Sequence, residues 1–350
     1  MTGIENIIHY LKTYQGKPLT IMEVCGTHTS AIMKNGIREH LSSHIRLVSG
    51  PGCPVCVTPA AYIDHAVRFA LKENHVLVTF GDMMKVPGRT GDLYEARSMG
   101  GRVKMIYSPL NLLDMAKDNP DTTFVMAAVG FETTAPVYAM LVKKARQMGL
   151  GNIKLLLAVK TILPAMEAIL EEGTVDGFIC PGHVSAILGS SAYEPLQKQY
   201  NKPFTVVGFE GPQLLTAIHD IVQQLEQGTS SVRNLYTSVV TKEGNKKAQE
   251  LIDEVFVPCD EWWRGLGLIK GSGLRLRDEF SDFNAVNEEI REDEVVMRGC
   301  RCTDVITGRI NPDECPLFGK VCTPTSPRGA CMVSSEGACG IWYGTGRSRL

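Results

Sequence analysis

Four cysteines near the end of the chain have the residue type and the spacing of a metal centre. Cys315, Cys322, Cys331 and Cys339 are separated by six, eight and seven residues in a stretch rich in proline and glycine. Thiolates are soft ligands, and four that converge from loops suit zinc or an iron–sulfur cluster better than a hard cation. The paired CxxC motifs of zinc ribbons are missing, which favours the cluster. The alternatives are disulfides and buried cysteines without a ligand.

Four other cysteines have weaker signals. Cys300 and Cys302 lie just upstream of the tail in RGCRCTD, and either could replace one of its four ligands. Cys180 and Cys259 are expected to pack as small apolar residues rather than to bind a metal.

The motif Cys53-Pro-Val-Cys56 is the second strong chemical feature. It follows a strand-like run and precedes the helix-like segment AAYIDHAVRFALKE. A helix N-terminus lowers the pKa of a nearby thiol and makes it a better nucleophile or electron carrier. We therefore predict a reversible redox dithiol. Half of a zinc site and a structural role are the alternatives, and no second CxxC lies nearby to complete a zinc site.

Cys25 stands alone in EVCGTHT, at another strand-to-helix turn. His28 follows three residues later, with Thr27 and Thr29 beside it. Cys25 could be a nucleophile that His28 activates, or a single thiolate for an iron held between two proteins. A buried cysteine and histidine without such a role fit the residue types equally well. The residues alone leave these three interpretations open.

Length and composition describe ordinary globular material. The chain has 350 residues and a net charge of −2, which allows two or three domains and does not suggest binding to nucleic acid or to an anionic membrane. It has 11 cysteines, an odd number, with no signal-peptide pattern at its start and no apolar run near twenty residues. We therefore expect a cytoplasmic protein in a reducing compartment.

Eight strand-like runs must position these residues. Alternation of such runs with longer amphipathic stretches predicts βαβ units around parallel sheets. Several runs end in unusual turns, and ligands of open α/β sheets bind beyond the carboxyl ends of the strands, so the turns should gather around a cleft. The runs are PLTIMEV, HIRLVSG, HVLVTF, VKMIYS, TFVMAAVG, IKLLLAV, DGFIC and FTVVGF.

A faint internal repeat completes the predicted fold. The turn that begins at Cys25 matches the turn at Cys180 in five of eight positions, and GFE occurs twice, ending in Glu132 and Glu210. We predict two related open parallel-sheet α/β lobes that face a central cleft, over residues 1–120 and 121–230. Chance similarity of short turns is the alternative. A smaller C-terminal iron–sulfur domain is predicted over 231–350, with a helix in TSVVTKEGNKKAQELIDEVF, a loop at WWRGLGLI and an acid-rich segment before the cysteines.

Together these motifs resemble one known family. CGTHTSAI, GPGCPVCVTP, FGDMMKVPG, VGFETTAP, CPGHVSAI and CPLFGKVCTP…GACMVSSEGAC occur in the same order as in the HypD family of hydrogenase maturation factors. The resemblance spans residues from about 20 to 340.

The resemblance implies a scaffold for the Fe(CN)2CO group of [NiFe]-hydrogenases. It implies a [4Fe-4S] cluster on the four tail cysteines and an iron bound by Cys25 together with a cysteine of a HypC-like chaperone. A HypE-like partner would donate cyanide. Cys53 and Cys56 would form a redox pair near that iron, in an arrangement similar to that of ferredoxin-dependent thioredoxin reductases.

A mechanism follows from the chemistry of a protein thiocyanate, the form in which the family receives cyanide. Splitting its S–C bond needs two electrons and a proton, and a CxxC dithiol supplies two electrons by closing to a disulfide. The cluster could reopen that disulfide in two steps. Backbone amides with His28, Thr27, Thr29 and His183 could donate hydrogen bonds to bound cyanide. Glu132 could relay a proton, or it could cap the following helix.

The function expected is thus a metal-centre assembly scaffold with redox activity rather than an enzyme that turns over a free metabolite. One competing hypothesis is a stand-alone thiol–disulfide oxidoreductase fed by a cluster. Another is a structural zinc tail on a binding module.

Overall fold

The computed structural model describes residues 3–291 and 299–346. The strands are β1 Leu19–Glu23, β2 Ile45–Ser49, β3 His75–Thr79, β4 Val103–Met105, β5 Thr123–Gly130, β6 Ile153–Val159, β7 Gly177–Cys180, β8 Phe204–Val206, β9 Val232–Asn234, β10 Phe256–Trp263 and β11 Gly267–Leu276. The helices are α1 Gly3–Thr13, α2 Gly26–Lys34, α3 Ala60–Leu71, α4 Leu93–Ser98, α5 Asn111–Asp118, α6 Ala135–Gln147, α7 Ile162–Glu171, α8 Gly182–Leu188, α9 Glu194–Tyr200, α10 Gly211–Glu226, α11 Lys246–Val255, α12 Cys302–Ile306, α13 Ala330–Val333 and α14 Ala338–Gly344. Short 3-10 helices occupy Ile37–His40, Gly81–Met83, Ser190–Tyr193, Asp278–Phe283 and Pro312–Glu314.

Two parallel sheets organise the chain. The first has the strand order β2-β1-β7-β8-β9, and the second has the order β4-β3-β5-β6. Every neighbouring pair in both sheets is parallel. All eight strand-like runs predicted from the sequence are strands, and helical crossovers connect most of them, as parallel pairing requires. The predicted α/β class with parallel sheets is confirmed.

The path of the chain between the sheets differs from a simple succession of lobes. Strands β1 and β2 pair into the same sheet as β7, β8 and β9, while β3 to β6 form the second sheet between them in sequence. The chain therefore leaves the first sheet and returns to it, and sheet membership does not follow the ranges 1–120 and 121–230. The repeated turns that begin at Cys25 and Cys180 follow adjacent strands of one sheet rather than lobes facing each other. Strand order depends on long-range pairing, which the similarity of two short turns does not report.

Three apolar clusters hold the layers together. The largest lies between the two sheets and also includes the buried cysteines of the tail. The second covers the other face of the β3–β6 sheet with α5, α6, α11 and the hairpin, and the third packs α1, α2 and α10 on the first sheet. Along β5, Val125 and Ala127 face the central cluster while Phe124 and Met126 face the second. This period of two explains why the strand is apolar throughout, since both its faces are buried.

The predicted loop at WWRGLGLI is confirmed only at residues 264–266. Trp262 and Trp263 end β10, and β11 begins at Gly267, so the segment is the tip of an antiparallel hairpin. The glycines suggested a loop, but two tryptophans favour a strand. The helix predicted just before it, over TSVVTKEGNKKAQELIDEVF, is present only in its second half, as α11. The predicted acid-rich segment lies partly outside the described residues.

The longest helix within residues 3–291 and 299–346 is α10, with 16 residues, and none there combines the length and apolar character needed to cross a bilayer.

Candidate functional site

A cleft with a volume of about 130 Å³ lies where turns from both sheets meet. The turns follow β1, β2, β5 and β7 at their carboxyl ends, as the sequence predicted. Part of the C-terminal tail also reaches it. The lining residues are Val24, Cys25, Gly52, Pro54, Phe131, Thr133, Thr134, Ile162, Pro181, His183, Val184 and Glu336.

Cys25 lies at this cleft as the residue before α2. The CxxC loop packs directly against it, because a Cβ added at Gly52 would lie 2.4 Å from the Cys25 backbone nitrogen. A Cβ at Gly26 would likewise lie 2.4 Å from the Glu336 carbonyl oxygen. These two glycines allow the CxxC loop and the tail to approach the Cys25 turn closely.

Burial raises the pKa of the Cys25 thiol to about 11. The negative charge of Glu23 acts in the same direction, while the backbone amides of Thr27 and His28 oppose it. Cys25 therefore carries a neutral thiol at pH 7, and a cation must displace its proton to bind the sulfur.

Glu23 is a buried carboxylate beneath Cys25 that the sequence analysis did not select. Its Oε2 accepts the Cys25 backbone N–H at 2.9 Å, and its Oε1 accepts the Thr29 hydroxyl. Burial raises its pKa to about 7, although these hydrogen bonds and the charge of Arg38 lower it. The available signal was an acidic residue at the end of an otherwise apolar strand.

His28 is fully buried, and its imidazole ring bonds to the turn after β8 rather than to the Cys25 thiol. Its Nε2 donates to the Val207 and Gly208 carbonyl oxygens, at 3.2 and 3.0 Å. Nδ1 is buried with no hydrogen-bond partner among the described residues. Burial lowers the pKa of the ring to about 4, so His28 is neutral with its proton on Nε2. It supports the turn after β8 rather than serving as a donor to the cleft.

The second histidine, His183, is the one that lines the cleft. Its exposed ring stacks on Phe209 at a centroid distance of 4.3 Å, and His28 contacts the same phenylalanine at 4.8 Å. Phe209 belongs to the second GFE, whose Glu210 accepts a backbone N–H of α10 as an exposed cap. The two GFE motifs therefore have different roles.

The pair Cys53 and Cys56 forms a disulfide, with its Cα atoms 5.3 Å apart. Both residues are buried beside the cleft, and the neighbouring Gly52 and Pro54 line it. Helix α3 begins only at Ala60, after a turn, so the pair is not at the helix N-terminus that the motif suggested. The backbone N–H of Cys56 instead donates to the Cys53 sulfur at 3.2 Å.

Glu132 is buried next to the cleft and caps a helix. Its Oε1 accepts the backbone N–H of Ile162, at the start of α7, at 2.8 Å. The helix it caps is thus not α6, which follows it in sequence. Its Oε2 is buried without a hydrogen-bond partner among the described residues, and burial raises its pKa to about 7. A carboxyl group with this pKa and a free oxygen can gain or lose a proton near neutral pH.

Six cysteines line one small apolar pocket in the tail. They are the four predicted residues together with Cys300 and Cys302, and the other lining side chains are apolar. Burial raises the pKa values of the Cys322 and Cys339 thiols. Six soft sulfur donors in an apolar pocket match the chemistry of an iron–sulfur site. No group of three or more histidine, cysteine, aspartate or glutamate side chains in residues 3–291 and 299–346 is arranged to hold a single metal ion.

Within this pocket, Cys302 and Cys331 are in direct contact, with their sulfur atoms 2.7 Å apart. Their hydrogen bond lowers the pKa of Cys302 and raises that of Cys331. The charge of Arg264 also favours the Cys302 thiolate. These two thiols are therefore engaged with each other.

The pocket and the cleft are joined by a short segment. Cys331 and Cys339 line the pocket, while Glu336 between them lines the cleft. Ser335 anchors the segment by donating to the Asp82 carboxylate at 2.9 Å. Asp82 lies in the predicted turn after β3, which thus contributes indirectly to the site.

Comparison with known proteins identifies the family of this chain. A profile described as the "Hydrogenase formation hypA family", HypD, matches residues 2–346. The hydrogenase maturation factor HypD of Azotobacter vinelandii is 42% identical over 341 residues, covering 94% of this chain and 90% of that protein. HypD of Escherichia coli is 40% identical, covering 93% and 89%. A putative hydrogenase expression/formation protein of Methanocaldococcus jannaschii is 43% identical, covering 93% and 91%. This chain belongs to the HypD family of hydrogenase maturation factors.

Proposed function

We propose that this chain is the scaffold and redox factor on which the Fe(CN)2CO group of [NiFe]-hydrogenase is assembled. The observation that carries the proposal is the shared cleft, where Cys25, the CxxC loop and the GFETTAP turn meet. The cargo iron binds Cys25, and a HypC-like chaperone supplies a second thiolate. One protein thiolate leaves most coordination positions of an iron open for cyanide, carbon monoxide and a partner's ligand.

The Cys53–Cys56 pair supplies electrons for releasing cyanide. A HypE-like protein delivers the cyanide as a thiocyanate, and its S–C bond breaks to give a thiol and cyanide with consumption of two electrons and one proton. The reduced pair loses two electrons and two protons as its S–S bond forms. One proton goes to the thiol product and the other is released. In this proposal the disulfide form of the pair is the product of the step.

Four of the pocket cysteines would hold a [4Fe-4S] cluster, the cofactor that their soft sulfur atoms suit. When bound, this cluster supplies single electrons. The tail set of Cys315, Cys322, Cys331 and Cys339 is one candidate. The contact between Cys302 and Cys331 favours a second, in which Cys300 takes the place of Cys331.

Fewer groups can donate hydrogen bonds to bound cyanide than the sequence suggested. The Thr29 hydroxyl is engaged by Glu23, and the proton of His28 by backbone carbonyls. Thr27 and His183 stay as side-chain candidates, together with backbone amides. Glu132 is the proposed proton relay, because one of its oxygens is free and its pKa lies near 7.

A stand-alone thiol–disulfide oxidoreductase is the second candidate. The observation that favours it is the hairpin tip at Arg264. This tip contacts the segment after Cys56 and lies beside the cysteine pocket. It therefore links the redox pair to the pocket by a route that does not include Cys25. Such an enzyme would not need Cys25.

Iron retention separates the two candidates. The chain is purified anaerobically with its HypC-like partner, and iron in excess of the cluster is measured for wild type, Cys25→Ala and Cys259→Ala. The scaffold predicts loss of this iron in C25A alone, because Cys259 lies on β10, away from the cleft lining. Equal iron in all three proteins would leave the oxidoreductase.

A further inference from the structure

We infer that Arg264 is a positioning residue that holds the Cys53–Cys56 loop against the cysteine pocket and favours the reduced, dithiol form of the pair. The inference rests on the redox role proposed for this pair and identifies a residue that controls it.

The first observation is a pair of hydrogen bonds into the dithiol loop. Arg264 lies at the tip of the β10–β11 hairpin, and its backbone N–H donates to the Val57 carbonyl at 2.8 Å. Its side-chain Nε donates to the Thr58 carbonyl at 2.7 Å. Val57 and Thr58 directly follow Cys56, so one residue of the hairpin fixes the segment that leaves the redox pair.

The second observation places the same hairpin tip beside the cysteine pocket. Gly265 has a φ of +82°, and a Cβ added there would lie 2.7 Å from the Thr303 hydroxyl oxygen. Thr303 is the neighbour of Cys302, which lines the pocket. A side chain at residue 265 would push the hairpin tip away from Thr303, so the tip is built for close contact with the segment that carries Cys302.

The third observation is an unused donor. The Nη2 atom of Arg264 is buried and has no hydrogen-bond partner among the described residues. A buried donor without an acceptor costs free energy. The structure contains the pair as a disulfide, and sulfur in a disulfide is uncharged. Reduction creates thiols that can ionise, and a thiolate accepts a charge-assisted hydrogen bond from a guanidinium. A cation bonded to the segment that follows Cys56 would therefore stabilise the reduced form more than the oxidised form.

The reaction to be measured is reduction of the Cys53–Cys56 disulfide by dithiothreitol. The protein S–S bond takes up two electrons and two protons, and dithiothreitol loses the same number as it closes to its cyclic disulfide. The equilibrium constant of this exchange gives the reduction potential of the pair. Differential alkylation reports it specifically, because trypsin releases residues 47–68, which contain no other cysteine.

Three variants of the full chain isolate the effect of Arg264. Arg264→Gln removes the charge, and Arg264→Lys keeps the charge but loses the planar donor group. Arg275→Gln is the matched control, because Arg275 lies on the same hairpin and is an exposed partner of Asp278. We expect R264Q to lower the equilibrium constant for reduction about tenfold, or about 30 mV for a two-electron couple. R264K should lower it about threefold, and R275Q should match wild type.

An equilibrium constant in R264Q equal to that in wild type or R275Q would overturn the inference. If circular dichroism shows that R264Q is unfolded, R264K takes its place in the comparison. An equilibrium constant for reduction in R264K equal to that of wild type would then overturn the inference. Failure of the wild-type pair to reach a reversible equilibrium would instead overturn the redox role in the proposed function.

Discussion

Replacement of Glu23 by glutamine should make Cys25 more reactive. Burial and the charge of Glu23 raise the pKa of Cys25 to about 11, compared with an ordinary value of 9.0. At pH 8 this corresponds to about 0.1% thiolate rather than about 10%, since each pKa unit is a factor of ten. Glu23, with a pKa of about 7, is mostly ionised at that pH. Removing its charge should lower the pKa of Cys25 by about one unit and increase the thiolate about tenfold.

The assay is the rate of alkylation of Cys25 by iodoacetamide at pH 8. A tryptic peptide covering 13–34 contains Cys25 as its sole cysteine. Glutamine can still accept the Cys25 backbone N–H, so the turn should persist in E23Q. The control is Glu73→Gln, an exposed glutamate before β3. A rate in E23Q that is equal to or slower than that of wild type would refute the link between Glu23 and the thiol.

Three further results are expected. Glu132→Gln should stabilise the fold at pH 8 by up to about 3 kcal/mol and change its stability little below pH 4.5. The reason is that the pKa of Glu132 is raised in the folded state, so the stability of the wild type falls as pH rises from about 4.5 to 7. Urea unfolding at both pH values tests this. Gly52→Ala should lower the melting temperature, because its Cβ would lie 2.3 Å from the Val24 carbonyl carbon. The control Gly151→Ala has open space around it and should leave the melting temperature unchanged. Equal melting temperatures for the two variants would contradict the close approach at Gly52. If Cys300 replaces Cys331 as a cluster ligand, Cys300→Ser should lose iron and acid-labile sulfide while Cys331→Ser keeps them. The opposite pattern would identify Cys331 as the ligand.

Local sequence signals predicted the strands and the cleft because both depend on short-range chemistry. Strands buried on both faces, such as β5, are continuous apolar runs. Turns at the carboxyl ends of parallel strands meet at one edge, so the turns that carry Cys25, Cys53 and His183 could be placed together from the sequence.

Other features depend on long-range packing and could not be predicted. The return of the chain to the first sheet at β7 is set by pairing between residues far apart in sequence. The pKa of Glu23 follows from burial, which its position at a strand end does not reveal. Arg264 meets the dithiol loop across 206 residues of sequence, and no local pattern marks such a contact.

Infrared spectroscopy of the chain in complex with the proposed HypC-like partner tests the central claim most directly. Cyanide and carbonyl groups on iron absorb where proteins are nearly silent. We expect these bands in the wild type, none in Cys25→Ala, and iron without cyanide bands in a Cys53→Ala/Cys56→Ala double variant. Bands that persist in C25A, or wild type without bands despite an intact cluster, would contradict assembly at this cleft.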